Sequence, residues 1–477
     1  MAVGDWALAR SVPCVRRVPP VTKQRSINPA TGDVVLEISE HTDAEVEQRV
    51  AGAAQAARLW RDEPITARTA LLERAGQLLE AEKQDWGRMM TQEMGKTHAS
   101  AIAEVEKCAS ACRYYGREAA AFVRPDRIVD TDAEVGEARY EPLGTVLAVM
   151  PWNFPLWQVV RFAAPALAAG NTGLLKHASN VPRCAIAIED LFRRAGAPPG
   201  VFSTLLIGSS RVAGLIADPR IHAVTLTGSE PAGRSVAETA GRYLKRTVLE
   251  LGGSDPFIVC DTADLERAAQ VGVAARCLNN GQSCIAAKRF IVLESVADAF
   301  IGRFVAGMRA LRVGDPMAAD TDVGPLATPA IRSEVHALVS ASVAAGATLL
   351  LGGEVPGGPG NYYPPTVLTH IPETAPAFGE EIFGPVACVY RVPDLAAAIR
   401  LANATRFGLG ASVWTSNEHE AELAATQLDA GNVFVNAMVA SDPRFPFGGI
   451  KASGYGRELG CWGLREFVNV KTVRRFR

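Results

Sequence analysis

The run Thr145-Val146-Leu147-Ala148-Val149-Met150 leads into Pro151-Trp152-Asn153-Phe154-Pro155, so an apolar segment is closed by two prolines around an asparagine. An uncharged run of this length, bounded by turn residues, reads as a buried strand. It opens a series, because Thr172 to Leu175, Val201 to Ile207, Ala223 to Leu226 and Thr247 to Leu251 are further apolar runs with helical stretches between them. Strands alternating with helices indicate an α/β fold in which a parallel sheet carries helices on its faces. Ligands of such sheets gather at the carboxyl ends of the strands. The residues at those ends are Trp152-Asn153, Lys176, Gly208-Ser209-Ser210, Thr227-Gly228-Ser229 and Glu250.

Toward the N-terminus, Pro125 to Pro142 is polar, mixed in charge and without helical period, and Arg127-Ile128-Val129 and Ala138-Arg139-Tyr140 suit the strands of a projecting hairpin. Helices are expected over roughly 66 to 121, and over an alanine-rich region from a cap at Thr42 or Asp43 to about residue 60. Val34-Val35-Leu36 reads as a short strand. In the first 25 residues Arg10, Arg16, Arg17, Lys23 and Arg25 face a single acid, Asp5, while Pro13, Pro19 and Pro20 spoil an amphipathic transit helix. The expectation there is a disordered extension. Toward the C-terminus, a second alternating unit runs from near Asp255 to about residue 430, and the tail beyond Gly431 ends in a charged strand-like piece, Glu466 to Arg474.

The totals narrow the function. A chain of 477 residues exceeds one hydrophobic core, so two or three domains are expected. A net charge of −2 gives no basic footprint for nucleic acid or a membrane surface, which leaves small molecules or further copies of the chain as partners. Nine cysteines are too sparse for a disulfide scaffold, and no secretory signal opens the sequence, so reduced thiols in a cytoplasm are expected. Cys108 and Cys112 lack a second ligand pair at zinc spacing and read as helix packing; no metal is expected.

Asn279-Asn280-Gly281-Gln282-Ser283-Cys284 places a thiol after a glycine and small polar side chains, just before the apolar run Phe290-Ile291-Val292-Leu293. A thiol there suits a nucleophile, provided its surroundings generate the thiolate; the plainer alternative is a small buried apolar residue. Asn153, fixed between its prolines, is placed to donate to an oxyanion beside the Cys284 N–H, or simply bonds its own turn. Glu250, at the end of an apolar strand and followed by Gly252-Gly253, suits a general base of raised pKa, or an edge carboxylate turned to solvent. Gly228-Ser229-Glu230-Pro231-Ala232-Gly233 leads from a strand into a helix whose first N–H groups could hold a phosphate, although it is not G-x-G-x-x-G. Lys176 adds a cation at the same sheet edge. Arg161 lies among apolar neighbours and needs an anion, either from the protein or from a substrate.

In order and spacing, Pro151 to Pro155, Glu250-Leu251-Gly252-Gly253, Gly281-Gln282-Ser283-Cys284, Glu381-Ile382-Phe383-Gly384-Pro385 and Pro446-Phe447-Gly448-Gly449 resemble the aldehyde dehydrogenase superfamily. The resemblance runs from about Ile27 to the C-terminus. It implies two parallel-sheet, Rossmann-type domains plus a small β oligomerisation element: a nucleotide-binding domain over 26–124 and 143–253, a catalytic domain over 254–430, and an oligomerisation element from 125–142 and 431–477 of a homodimer or homotetramer, after the extension 1–25. It also implies that Cys284 attacks an aldehyde, that Asn153 and the Cys284 N–H hold the oxyanion, and that Glu250 activates the water that hydrolyses a thioester. Lys176 would contact the adenosine ribose, Gly228 and Ser229 the pyrophosphate, Glu381 the nicotinamide ribose and Phe383 the ring, with Met150, Trp152, Ser179, Gly208 and Leu251 also at the nucleotide. Many NAD-preferring members carry a glutamate three residues after the ribose lysine; Ser179 stands there, which favours NADP while leaving NAD possible.

Through Asn153 to Arg161 and Asn279 to Lys288 the chain looks, within the superfamily, most like the succinate-semialdehyde dehydrogenases. That likeness implies Arg161 and Ser441 as contacts for a substrate carboxylate, although a second arginine of some members is Leu278 here, and a redox-paired cysteine is Ala286. The alternatives are the same chemistry on another aldehyde, a cysteine-dependent hydrolase that uses no nucleotide, and a non-catalytic scaffold.

Overall fold

Thr42 starts the first helix, Asp43–Trp60, through a capping box: the Glu45 N–H donates to Thr42 Oγ1 at 3.3 Å and the Thr42 N–H to Glu45 Oε2 at 2.7 Å. This is a computed structural model that describes residues 22–477. The helical stretch expected over 66–121 is three helices, Ile65–Ala81, Lys83–Met94 and His98–Phe122. Gly95, at φ +85°, ends the second, and Thr97 caps the third. Cys108 and Cys112 are fully buried along that third helix.

The run Thr145–Met150 is a strand at the middle of a six-stranded sheet. It is flanked in parallel by Thr172–His177 on one side and Ile221–Thr227 on the other, with Phe202–Thr204 and Arg246–Glu250 outside them. The chain therefore reverses its direction of winding beside this strand, and a crevice opens where Pro151-Trp152-Asn153 leaves it. The helix that follows, Trp157–Ala169, is buried at every position, Arg161 included.

A second sheet of seven strands has the order Thr348–Leu351, Thr366–Thr369, Val386–Val392, Arg289–Leu293, Pro256–Val259, Gly410–Trp414 and Asn432–Val435. Its strands run parallel except Thr348–Leu351. A third, antiparallel sheet joins the hairpin Asp126–Asp130 and Glu134–Pro142 to the C-terminal strand Val468–Phe476. No helix among the described residues is long and apolar enough to cross a membrane.

Three expectations need correction. Lys23 and Arg25, assigned to a disordered extension, lie in the strand Lys23–Ile27, where both pair with Glu37 of the strand Val34–Ser39; residues 1–21 of that extension lie outside the described residues. The run Val201 to Ile207 is a strand only over Phe202–Thr204, because beyond the Leu205 N–H bond to Leu175 the Ile207 N–H turns back to the Leu205 carbonyl. Asn432–Val435, assigned with the tail, extends the seven-stranded sheet, and Gly454–Tyr455 adds an antiparallel edge to the six-stranded one. In the first of these the parallel register with Gly410–Trp414 is reinforced by the Asn432 amide, which donates to the Leu409 carbonyl at 3.0 Å.

One face of the seven-stranded sheet is packed with aromatics, and the Phe290 ring lies 4.4 Å from that of Phe304 and 5.1 Å from that of Phe257. Truncating Phe290, on the strand that follows the cysteine loop, removes the centre of this stack. Phe290→Ala is expected to cost ~3–5 kcal/mol, read as a fall in the urea midpoint of unfolding.

Candidate active site

Cys284 is delivered by a backbone segment that sequence alone does not foretell. Asn279, Asn280 and Gly281 take φ of 55°, 58° and 75°, so three consecutive residues are left-handed. Only glycine adopts that region without strain, and the two asparagines are held there by their amides. Asn279 Nδ2 donates to the Asn153 carbonyl at 2.7 Å, and Asn280 Nδ2 to the Gly95 and Pro325 carbonyls at 2.9 and 3.0 Å. A Cβ on Gly281 would lie 2.3 Å from the Gly384 carbonyl carbon, so no side chain fits there. The oxygen of the next side chain, Gln282, accepts from the Ala327 N–H at 2.9 Å.

Beyond the cysteine, the buried Lys288 folds back and donates to the carbonyls of Ser283, Cys284 and Ala286 at 3.0, 2.9 and 3.2 Å. It also stands 3.3 Å from Glu381, which accepts from the Gly253 N–H at 3.1 Å. Gly252 leaves room for this carboxylate, since a Cβ there would come within 2.3 Å of Glu381 Oε2 and make it shift.

Two cavities meet at Cys284. One, of about 280 Å³, is lined by Trp152, Asn153, Gly228, Ser229, Leu251, Glu381 and Phe383 of the predicted set. Trp152 and Phe383 meet edge to face at 5.8 Å, and the helix Glu230–Arg242 starts directly after Ser229. Gly233 lets that helix close on Leu251, where a Cβ would be 2.5 Å away. The helix Pro329–Ala344 supplies Glu334, Val335 and Leu338, which sequence reading did not single out.

The remaining predicted nucleotide residues lie outside this cavity. Met150 is buried at the end of the central strand, paired with His177 of its neighbour. Lys176 lies on that neighbour, 7 % exposed, with burial lowering its pKa and the Glu40 carboxylate opposing the shift. A Cβ on Gly208 would meet the same Glu40 carboxylate at 3.4 Å, and Ser179 is exposed in the turn before the helix Pro182–Arg194.

The other cavity, of about 190 Å³, has apolar walls that include Phe154, Trp157, Leu278, Met438 and Phe447, with Arg161 and Ser441 among them. Arg161 is 2 % exposed; its Nε pairs with Glu458, and its Nη2 donates to Thr227 Oγ1 at 3.3 Å. The anion it meets here is thus one from the protein. Glu458 had no signal in the sequence, since a lone acid in a glycine-rich tail reads as solvated. Lys107, another residue not singled out, donates to Ser441 Oγ at 2.7 Å.

Asn153 lines the first of these cavities with Cys284, and its Nδ2 donates to the Gln282 carbonyl at 3.1 Å while its Oδ1 is unpartnered. Glu250 lines neither cavity. It is 1 % exposed beside Gly448, and neither carboxyl oxygen has a hydrogen-bond partner. Burial raises its pKa against the pull of Arg161, and the neighbouring Glu458 raises it further. Burial likewise pushes the Cys284 thiol up to about 12, opposed by Arg161 and Lys288 and reinforced by Glu250 and Glu381.

A thiol reaching two cavities, a buried carboxyl of raised pKa nearby and a helix N-terminus at one cavity's edge thus meet at the strand ends of a nucleotide-fold architecture. The aldehyde dehydrogenase family model matches residues 18–473, and the chain belongs to that family. It is 54 % identical over 448 residues to a probable NADP(+) succinate-semialdehyde dehydrogenase of Synechocystis sp., covering 94 % of this chain and 98 % of the relative. It is 52 % identical over 450 residues to NADP(+) succinate-semialdehyde dehydrogenase 1 of Mycobacterium bovis, with the same coverage. Among solved structures, the succinic semialdehyde dehydrogenase of Streptococcus pyogenes in complex with NADP+ superposes with a TM-score of 0.92 at 37 % identity, covering 94 % of this chain and 99 % of that one. An NAD-dependent aldehyde dehydrogenase of Sinorhizobium meliloti superposes at 0.93 with 34 % identity, covering 95 % and 91 %, so the backbone alone does not set the nucleotide.

Because burial holds the Cys284 thiol protonated, its alkylation by iodoacetamide in the nucleotide-free protein should accelerate about tenfold per pH unit from about pH 7 to about pH 9, followed by mass spectrometry of the Cys284 peptide. A plateau near neutrality would show a resting thiolate instead.

Proposed function

We propose that this chain oxidises succinate semialdehyde to succinate with NADP as acceptor. The observation that carries this reading is Cys284 standing where a nucleotide-side cavity meets a second, largely apolar cavity that bears Arg161 and Ser441. The names of the relatives support both the substrate and the nucleotide.

The residues suit NADP. The amides that open the helix Glu230–Arg242 would hold the pyrophosphate, Glu381 the nicotinamide ribose, and Lys176 the adenosine ribose. Ser179 is exposed and brings no carboxylate against a 2′-phosphate. When bound there, the nucleotide would supply the acceptor for the hydride of the thiohemiacetal carbon.

The chain's own residues do the rest. Cys284, deprotonated, adds to the aldehyde carbon to give a thiohemiacetal, whose oxyanion the Asn153 amide and the Cys284 N–H hold. Lys288, bonded to the carbonyls around Cys284, keeps the loop in register with Glu381. After oxidation to the thioester, Glu250 takes a proton from water, the hydroxide attacks the acyl carbon, and the C–S bond breaks to return the Cys284 thiolate and release succinate. A carboxyl with no hydrogen-bond partner of its own is free to accept that proton.

We further propose self-association through the three-stranded sheet, which exposes Ile128, Val470 and Phe476, and a cytoplasmic setting, where a catalytic thiol stays reduced. Light scattering of wild type beside a chain truncated before Val468 tests the former, with a smaller assembly expected.

Initial rates of NADPH formation test the reaction, with succinate semialdehyde favoured over butanal and NADP over NAD. Asn153→Ala should lower kcat by ~10²–10³. Glu250→Gln should leave a single burst of NADPH per active site and lower kcat by ~10²–10⁴. Because the base works only when deprotonated and its pKa is raised, wild-type hydrolysis of the thioester should speed up as pH rises through a range above that of ordinary carboxylates, and the variant should lack this limb. Equal rates with butanal would discard the semialdehyde, and no turnover with any aldehyde would discard the dehydrogenase.

A further inference from the structure

Lys107 projects from the helix His98–Phe122 into the cavity beyond Cys284, and nothing in the steps above employs it. Its Nζ donates to Ser441 Oγ at 2.7 Å and lies 4.4 Å from the centroid of the Trp157 ring. Among the described residues no carboxylate pairs with it, since its neighbours are already committed. Glu104, one turn earlier, pairs with Lys96 and accepts from the Leu156 and Trp157 N–H groups at 2.9 and 2.8 Å. Asp442, next to Ser441, is held by Arg444 at 2.6 Å.

The second cation on the wall, Arg161, is committed to Glu458. Burial, and then the positive charge of Arg161, lower the Lys107 pKa to about 8. Two cations on one largely apolar wall, one of them with only a hydroxyl and a ring for company, form an electrostatically incomplete site. An anion entering the cavity would complete it.

We propose that Lys107, together with Ser441, receives the distal carboxylate of the substrate and so sets the preference for a carboxylated aldehyde. Arg161 then supplies background charge from behind, held in place by Glu458, while Lys107 makes the direct contact. The inference rests on the succinate-semialdehyde reading. It adds to that reading a residue from the N-terminal helices, far in sequence from Cys284.

The test measures kcat/KM for succinate semialdehyde and for butanal in the wild type, Lys107→Met and Lys107→Arg, with NADP binding and thermal midpoint as checks of folding. Lys107→Met keeps the length and apolar stem of the side chain but removes the charge. It should lower the ratio of the two kcat/KM values by at least ~10-fold, chiefly through KM for the charged substrate, and weaken inhibition by succinate in parallel. Lys107→Arg, which restores the charge, should recover most of the ratio. A wild type that prefers the semialdehyde while Lys107→Met retains the full preference would overturn the assignment of Lys107 alone. A wild type without any preference would overturn the substrate reading, and this inference with it.

Discussion

Three left-handed residues in a row, Asn279, Asn280 and Gly281, are the constraint on which the rest of the site depends. Each non-glycine residue in that region costs on the order of 1–2 kcal/mol, so the conformation persists only where surrounding bonds over-determine it. Here the asparagine amides tie the loop to Gly95 at the end of an N-terminal helix, to Asn153 beyond the central strand of one sheet, and to Pro325 in the second alternating unit. An aspartate at either position would set a carboxylate against carbonyl oxygens. The same turn needs a glycine because Gly384, just after Phe383, is packed against it. Cys284 thus stands where three parts of the chain converge, and its placement is a tertiary fact more than a local one.

Buried charge surrounds this point, and nearly every unit of it has an assigned partner. Lys288 is satisfied by three carbonyls and Glu381, Arg161 by Glu458 and Thr227, and Lys96 by Glu104. Glu104 also accepts the first N–H groups of the helix that carries Arg161, which fixes the azimuth of that helix and of Trp157. Because Glu104 and Lys107 are one turn apart, anchoring the first sets the second on the same face, toward the cavity. Glu250 is one exception, and Lys107, with only a hydroxyl and a ring beside it, is another. Burial of a polar group without a hydrogen-bond partner costs about 1–3 kcal/mol, and it leaves the Glu250 lone pairs free.

Sequence carried the architecture best where an apolar segment met a residue that enforces its end. Thr145–Met150 ends as expected because Pro151 stops it, and the cap at Thr42 is legible because Glu45 follows three residues later. Val201 to Ile207 failed because hydropathy says nothing about when a chain leaves its ladder, and Asn432–Val435 because its partner, Gly410–Trp414, lies too far away for local pattern to name. In the site, motif residues such as Trp152, Glu381 and Phe383 line a cavity with Cys284 as a group. Lys107, Lys288, Glu40 and Glu458 stayed hidden, since a charged residue on a helix or in a loop reads as solvated until the fold shows what faces it. For Arg161 the apolar neighbours announced a buried charge, but only the structure could name Glu458 as its anion.

The division of labour follows from where these groups sit. Cys284, Asn153 and the left-handed turn are held by backbone and amide bonds that no aldehyde touches, so they suit one chemistry and many substrates. Discrimination has to come from side chains on the outer walls, and those are few: Ser179 in its exposed turn toward the nucleotide, and Lys107, Ser441 and Arg161 among apolar residues toward the aldehyde. An apolar wall gains little by telling one short aldehyde from another, about 1–3 kcal/mol per methylene. A charge fixed in that wall gains far more, because it leaves the uncharged competitor facing a buried cation without its anion. With Arg161 already paired to Glu458 and supplying only background charge, the lysine bonded to Ser441 is the wall charge left to meet a carboxylated substrate directly.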